Sequence, residues 1–289
     1  MRGMFAESMT VGEAIEWGAD ALDQADEPSR NTRADSMLLL RHVLGIPAAE
    51  FYAERERPLT PLQTEQFNTL IRQRVRGKPI QYITGVQEFF GLQFHVTPDV
   101  LIPRPETEHL VEAAIARLKD HEAPRIVDIG TGSGAIAVAL AYALPHAQIT
   151  ALDVSAAALK VAEQNAVRHG VAERIRFMES DLLTAIAGES FDAVVSNPPY
   201  VAERERKTLS KEVREFEPRL ALFAGPTGLE FYRRLVPAAQ AQLGSGGWLL
   251  MEIGHGQRDA VAAMLQEWDG VEFAPDLQGI PRVAITRKP

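Results

Sequence analysis

The residues best suited to chemistry lie in the tract Ser196-Asn197-Pro198-Pro199-Tyr200. Proline lacks an amide hydrogen and holds its φ, so this backbone offers carbonyl acceptors and few donors. The Asn197 side-chain carbonyl and the Pro198 backbone carbonyl can together accept both hydrogens of one NH2 group. The Tyr200 ring gives a planar group a face to stack on. An amide or aryl amine nitrogen is a poor nucleophile because its lone pair is delocalised. Two acceptors orient such a nitrogen and stabilise the positive charge that grows on it. The matching electrophile is a sulfonium methyl, and most of the acceleration would come from positioning. No dedicated base is evident. The plainer reading is a proline-rich loop after a strand, and its position beside a second motif speaks against it.

That second motif is Val127-Asp128-Ile129-Gly130-Thr131-Gly132-Ser133-Gly134, at a strand-to-helix junction. Glycines let the chain turn sharply and approach a ligand without a Cβ in the way, and the helix that follows presents free N–H groups. The loop alone fits S-adenosyl-L-methionine or a nicotinamide dinucleotide. Asp153, at the end of the next strand, can accept hydrogen bonds from ribose hydroxyls or simply end a strand before the cap Ser155. Asp181, after the third strand, can accept from an adenine amine or serve as a turn residue. A hydride-transfer enzyme has no need of the acceptors at Asn197 and Pro198, so the pair of motifs favours methyl transfer. The rivals are an oxidoreductase and a binder that has lost its chemistry.

These residues need a scaffold that brings several loops to one edge. From residue 106 onward, amphipathic helices alternate with apolar strands: helix 108–118, strand 125–129, helix 134–144, strand 148–152, helix 155–169, strand 174–178 and strand 191–196. Helix 228–243, strand 248–253, helix 257–268 and strands near Val271 and Val283 follow. This alternation predicts an α/β fold with a doubly wound, mostly parallel sheet. Residues 1–80 instead read as a small helical domain. Thr10 and Glu13 form a capping box, a second helix covers 33–44 and stops at Gly45, and a third starts at Thr60 with Pro61 and Gln63. Residues 81–105 read as a β-hairpin linker turning at Gly91-Leu92, and 106–289 as the domain that holds both motifs. Arg72, Arg74, Arg76 and Lys78 are either cations at a helix C-terminus or a docking patch. Arg104, between prolines, either bridges domains or orients the hairpin.

Composition sets outer limits. The 289 residues contain no cysteine, which removes disulfides and thiolate chemistry, and the seven histidines show no metal-ligand spacing. No metal is expected. The formal charge of −9 disfavours a broad nucleic-acid surface. No apolar run approaches a membrane span, the longest being residues 135–144. Glu7, Glu13 and Glu16 stand where a signal peptide would be apolar, so a cytoplasmic location is expected.

The chain resembles the HemK family of release-factor glutamine methyltransferases. The resemblance covers nearly the whole length. It is carried by residues 77–85 (GKPIQYITG), 88–92 (EFFGL), 101–108 (LIPRPETE), the glycine loop, Asn197 to Tyr200, Glu217-Pro218 and Glu252-Ile253-Gly254. It implies a Rossmann-like, seven-stranded methyltransferase sheet with a helical domain that helps dock a protein substrate. The implied reaction is methylation, from S-adenosyl-L-methionine, of the glutamine in the Gly-Gly-Gln motif of class I peptide chain release factors. Gly130, Thr131, Gly132, Ser133, Gly134, Asp153, Asp181, Leu182 and Asn197 are then expected at the cofactor, Leu182 where some relatives carry a larger aromatic residue. Asn197, Pro198, Pro199 and Tyr200 are expected at the glutamine, with Asn197 and Tyr200 in the catalytic role. A monomer with neither membrane nor nucleic-acid partners is expected. The competing reading, with the same fold and cofactor, is an adenine amino-group methyltransferase acting on DNA or RNA.

Overall fold

The computed structural model describes residues 9–27, 29 and 31–289; Glu7 lies outside the described residues. The chain divides into two units. One is the helical segment up to Gly85 together with Lys211–Phe216, and the other is Val86–Ser210 with Glu217–Pro289.

In the helical unit, Val11–Asp23 starts at Thr10 with both halves of the capping box formed. Thr32–Leu44 ends at a left-handed Gly45. Pro61–Val75 has its own box between Thr60 and Gln63. Their apolar faces meet in a core that includes Val11, Ile15, Leu39, Leu40, Phe67 and Ile71. Gly18 has no room for a side chain: an added Cβ would stand 2.4 Å from Ser36 Oγ and 2.8 Å from the Phe67 ring.

The basic stretch is not a uniform surface patch. Arg74 is buried, with Nε 2.7 Å from Asp35 and Nη2 2.6 Å from Glu212. It also donates to the Lys78 carbonyl at 3.1 Å. A guanidinium this buried needs its carboxylates, so Arg74 ties Lys211–Phe216 to the helices.

The tract expected as a hairpin linker is divided. The short helix Ile80–Thr84 ends the helical unit at a left-handed Gly85. Strands β1 (Val86–Phe89) and β2 (Leu92–His95) open the larger one. Their turn is Phe90-Gly91, one residue earlier than the sequence suggests, because Phe89 pairs with Leu92. Both turn residues have positive φ, 53° and 71°. Glu108 accepts the Phe90 N–H at 2.9 Å. Phe89 and Phe94 are fully buried in the core of the larger unit, so the hairpin is part of it.

The larger unit contains β3 (Arg125–Ile129), β4 (Gln148–Asp153), β5 (Ile175–Glu179), β6 (Phe191–Ser196), β7 (Leu243–Glu252), β8 (Asp269–Pro275) and β9 (Pro281–Arg287). Their order is β5-β4-β3-β6-β7-β9-β8. The first five run parallel, and β9 is antiparallel to both β7 and β8. The chain leaves β3 toward β4 and β5, then returns to the other side of β3 as β6. That reversal opens a crevice at the carboxyl ends of β3 and β6, where a doubly wound sheet binds ligands. The antiparallel end departs from the order of a dinucleotide-binding sheet. Apolar clusters cover both faces. No helix among the described residues is long and apolar enough to cross a membrane.

Candidate active site

The glycine loop follows β3, and Gly130, Gly132 and Gly134 have φ of 72°, 56° and 80°. All three lie in the left-handed region that a side chain disfavours. The loop is closed by amides: Gly130 and Thr131 donate to the Leu152 carbonyl at 2.8 and 2.9 Å. Gly132 donates to Asp153 Oδ2 at 2.9 Å, and Asp153 Oδ1 accepts the Ser155 amide at 2.9 Å. Burial raises the pKa of Asp153, while these amides pull it down. Asp128, fully enclosed beneath the loop, is pushed up to about 7 by burial, against a hydrogen bond from Thr131.

A cleft enclosing about 810 Å³ of empty space, part of it open to solvent, lies above the carboxyl ends of β3 and β6. Of the expected cofactor residues, Gly130, Gly132, Asp153, Asp181, Leu182 and Asn197 line it. Thr131, Ser133 and Gly134 do not, and each has a physical reason. Thr131 turns inward to donate to Asp128 Oδ2 at 2.6 Å. Ser133 is buried and its carbonyl accepts from Asn165 Nδ2 at 2.8 Å. Gly134 packs against the helix Ala156–Arg168, where a Cβ would come within 3.0 Å of the Ala162 Cβ.

Asp181 reaches the cleft, but its Oδ2 is paired with Arg234 at 2.6 Å on the surface. Leu182 has φ 53° and is buried. Val100, Leu101 and Phe231, to which neither motif extends, also stand in the cleft wall. Only the fold brings them there, and no spacing in the chain signals it.

At the reacting edge, Ser196 Oγ donates to the Ile129 carbonyl at 2.8 Å, fixing the end of β6 to the end of β3. Asn197 Nδ2 donates to Thr107 Oγ1 at 2.9 Å. Its Oδ1 is thereby left as the acceptor. Pro199 lines the cleft with Asn197, whereas Pro198 and Tyr200 do not. Tyr200 lies beside them, its hydroxyl donating to Glu252 Oε1 at 3.3 Å and its carbonyl accepting from Gln257 Nε2 at 2.9 Å. Two glycines make room for this loop. A Cβ on Gly228 would meet the Tyr200 carbonyl at 2.5 Å, and one on Gly254 would meet the Tyr200 ring at 3.0 Å.

Glu252, at the end of β7, is only 1% exposed. Burial pushes it up to about 7, with hydrogen bonds from Thr107 and Tyr200 opposing. Burial likewise raises Tyr200 well beyond the ordinary phenol range. Arg104 donates from Nη2 to the buried Glu217 at 2.6 Å, so it braces the 217–222 segment beside the cleft. Among the described residues, no group of three or more His, Asp or Glu is placed to hold a metal.

Comparison with known proteins adds relatives to this geometry. A family model described as methyltransferase small domain matches residues 107–216, and one described as PrmC N-terminal domain matches residues 13–85. The release factor glutamine methyltransferase of Koribacter versatilis is 43% identical over 282 residues, covering 97% of this chain and 99% of that protein. The protein of the same name from Chlorobaculum tepidum is 50% identical over 237 residues, 79% of each chain. That from Geobacter sulfurreducens is 42% identical over 279 residues, 96% of each. Among solved structures, the hMettl16 catalytic domain is similar with a TM-score of 0.54 at 19% identity, covering 80% of this chain and 84% of that one. A methyltransferase from Pyrococcus furiosus gives 0.51 at 18% identity, covering 69% and 90%. These two support the methyltransferase fold.

Proposed function

This chain belongs to the family of release factor glutamine methyltransferases, and on that premise we propose that it methylates the side-chain amide nitrogen of the glutamine in the Gly-Gly-Gln motif of class I peptide chain release factors. The methyl donor in this reading is S-adenosyl-L-methionine. The observation that carries the reading is the state of Asn197, whose amide hydrogens face Thr107 while its carbonyl is left to accept at the cleft.

The residues present fit that donor. Gly130 leaves open space where a Cβ would stand, and a Cβ on Gly132 would meet only the Gly130 carbonyl, at 4.0 Å. Asp153 and Asp181 supply carboxylates at the cleft, which suit a cation and the polar edges of a nucleoside. When bound, S-adenosyl-L-methionine supplies a methyl group activated by a positively charged sulfur. The protein's part is to present the nitrogen. Asn197 Oδ1 and the Pro198 carbonyl accept the two amide hydrogens, hold the lone pair toward the methyl and stabilise the charge that develops. The Tyr200 ring, fixed through its hydroxyl and its carbonyl, supports the flat face of the amide. Leu182, Pro199 and Phe231 give the cleft an apolar wall beside Asn197.

The test is transfer of label from S-adenosyl-L-methionine to a purified release factor, to the same factor with its loop glutamine changed to alanine, and to adenine-containing DNA and RNA. Label on the unaltered factor alone is expected, and Asn197→Ala should lower the rate by about 100-fold or more. Label on nucleic acid instead would make the protein an adenine methyltransferase.

A further inference from the structure

An asparagine amide has two orientations of nearly the same shape, and only one leaves its oxygen free for a substrate hydrogen. The neighbour of Asn197 does not choose by itself. The Thr107 hydroxyl can accept from an NH2 group or donate to a carbonyl. What decides is where its single proton goes, and it goes to Glu252 Oε2 at 2.6 Å. We infer that Thr107 and Glu252 form a positioning relay: the Glu252 carboxylate takes the Thr107 proton, which obliges Thr107 to accept from Asn197 Nδ2 and turns Asn197 Oδ1 to the reacting amide. This inference rests on the proposed reading of Asn197 as the acceptor for the substrate amide.

The geometry supports each link. The Thr107–Glu252 distance is that of a hydroxyl bonded to an ionised carboxylate. Thr107 is 4% exposed, so water has little access to either partner. Glu252 is held at both ends. Its backbone pairs with Val283 in the sheet, and its other oxygen accepts the Tyr200 hydroxyl at 3.3 Å. The relay therefore joins Thr107, just before the helix Glu108–Leu118, to the end of β7 and to the loop after β6. The titratable and charged groups facing Glu252 are Tyr200, Tyr232, Glu106 and Arg282. Arg282 is itself paired with Asp276 at 3.0 Å.

Protonation reverses the relay. A protonated Glu252 donates to Thr107, frees the Thr107 proton for the Asn197 carbonyl and removes the preference for the productive orientation. The Asn197 acceptor is thus in place above the Glu252 pKa and released below it. A glutamine at position 252 has one carbonyl for two hydroxyl donors; with that carbonyl on the Tyr200 hydroxyl, its NH2 faces Thr107 and can only donate, as the protonated acid does.

The experiment compares wild type, Glu252→Gln, Thr107→Ser and Thr107→Val in steady-state methyl transfer to a purified release factor, from about pH 6 to about 8.5. Cofactor Kd is measured by calorimetry on each. Glu252→Gln is expected to lower kcat by about 30-fold or more, to leave the KM for the factor and the cofactor Kd within about 3-fold, and to lose the acid limb of the profile. Thr107→Ser, which keeps the hydroxyl, should stay within about 3-fold of wild type. Thr107→Val should resemble Glu252→Gln. A Glu252→Gln enzyme with wild-type kcat and an intact acid limb overturns the relay, as does loss of kcat only in step with loss of cofactor binding. Wild type that labels no release factor sinks the proposed function and the relay together. Labelled glutamine with an indifferent Glu252→Gln sinks the relay alone.

Discussion

At Gly134 the backbone holds φ at 80°, and a Cβ would lie 3.0 Å from that of Ala162 and 3.1 Å from its Cα. The third glycine of the loop thus serves packing against a helix, while Gly130 and Gly132 face the cleft. Gly134→Ala is expected to cost about 1–3 kcal/mol in stability from backbone strain and crowding, and to weaken cofactor binding as the loop shifts. Denaturant titration checks it, and a variant as stable as the parent contradicts this account. At this scale the sequence was a good guide to residue type and a poorer one to direction. Asn197, Asp153 and Leu182 line the cleft, because each stands at or within three residues of the carboxyl end of a parallel strand that opens there. Thr131 and Ser133 share the same motif yet turn away, and a motif does not reveal which side of a tight loop is inside. Thr107 and Glu252 are 145 residues apart. Their pairing becomes visible only once helix and sheet are assembled.

The elements were legible where a hydrophobic period coincided with a cap or a turn. β3 and β6 and the helix Glu108–Leu118 have the bounds that their apolar patterns predict. The 203–222 stretch carries no such period, and its short helices Lys211–Phe216 and Arg219–Leu222 depend on distant partners. Glu212 bonds to Arg74, and Val201 bridges to Phe223. The hairpin is a similar case. Its strands were expected, but its place is set by Phe89, Phe94 and one side chain, Asn165. That amide exchanges hydrogen bonds with the His95 backbone, accepting at 2.7 Å and donating at 2.9 Å, and donates to the Ser133 carbonyl at 2.8 Å. It couples the hairpin to the glycine loop. Asn165→Ala should leave buried groups unpaired and cost about 1–3 kcal/mol, with faster amide exchange in both β2 and the loop. Exchange that quickens in neither segment would show that they are held independently.

Across the whole molecule, two buried acids link stability to pH. Asp128 and Glu252 are each raised to about 7, above their ordinary values. These two groups therefore bind more protons in the folded protein than in the unfolded chain between about pH 4 and 7. Their contribution to stability is complete at the acid end of that window and is lost as pH rises through 7. Denaturation midpoints are expected to fall between about pH 5 and 7.5, and Asp128→Asn should flatten the slope. A midpoint that climbs steadily over this range would contradict the assignment. Activity should run the opposite way, since the Thr107 relay needs Glu252 ionised. The site is thus best formed for transfer in the range where its burial of charge costs stability.

In the proposed reaction the methyl group goes to an amide nitrogen held by Asn197. Peptide mapping by mass spectrometry of a release factor incubated with this protein and S-adenosyl-L-methionine tests it directly. One added methyl group is expected, on the side-chain nitrogen of the Gly-Gly-Gln glutamine, absent when Asn197→Ala replaces the wild type. A methyl group on any other residue, or an equal yield from Asn197→Ala, would contradict it.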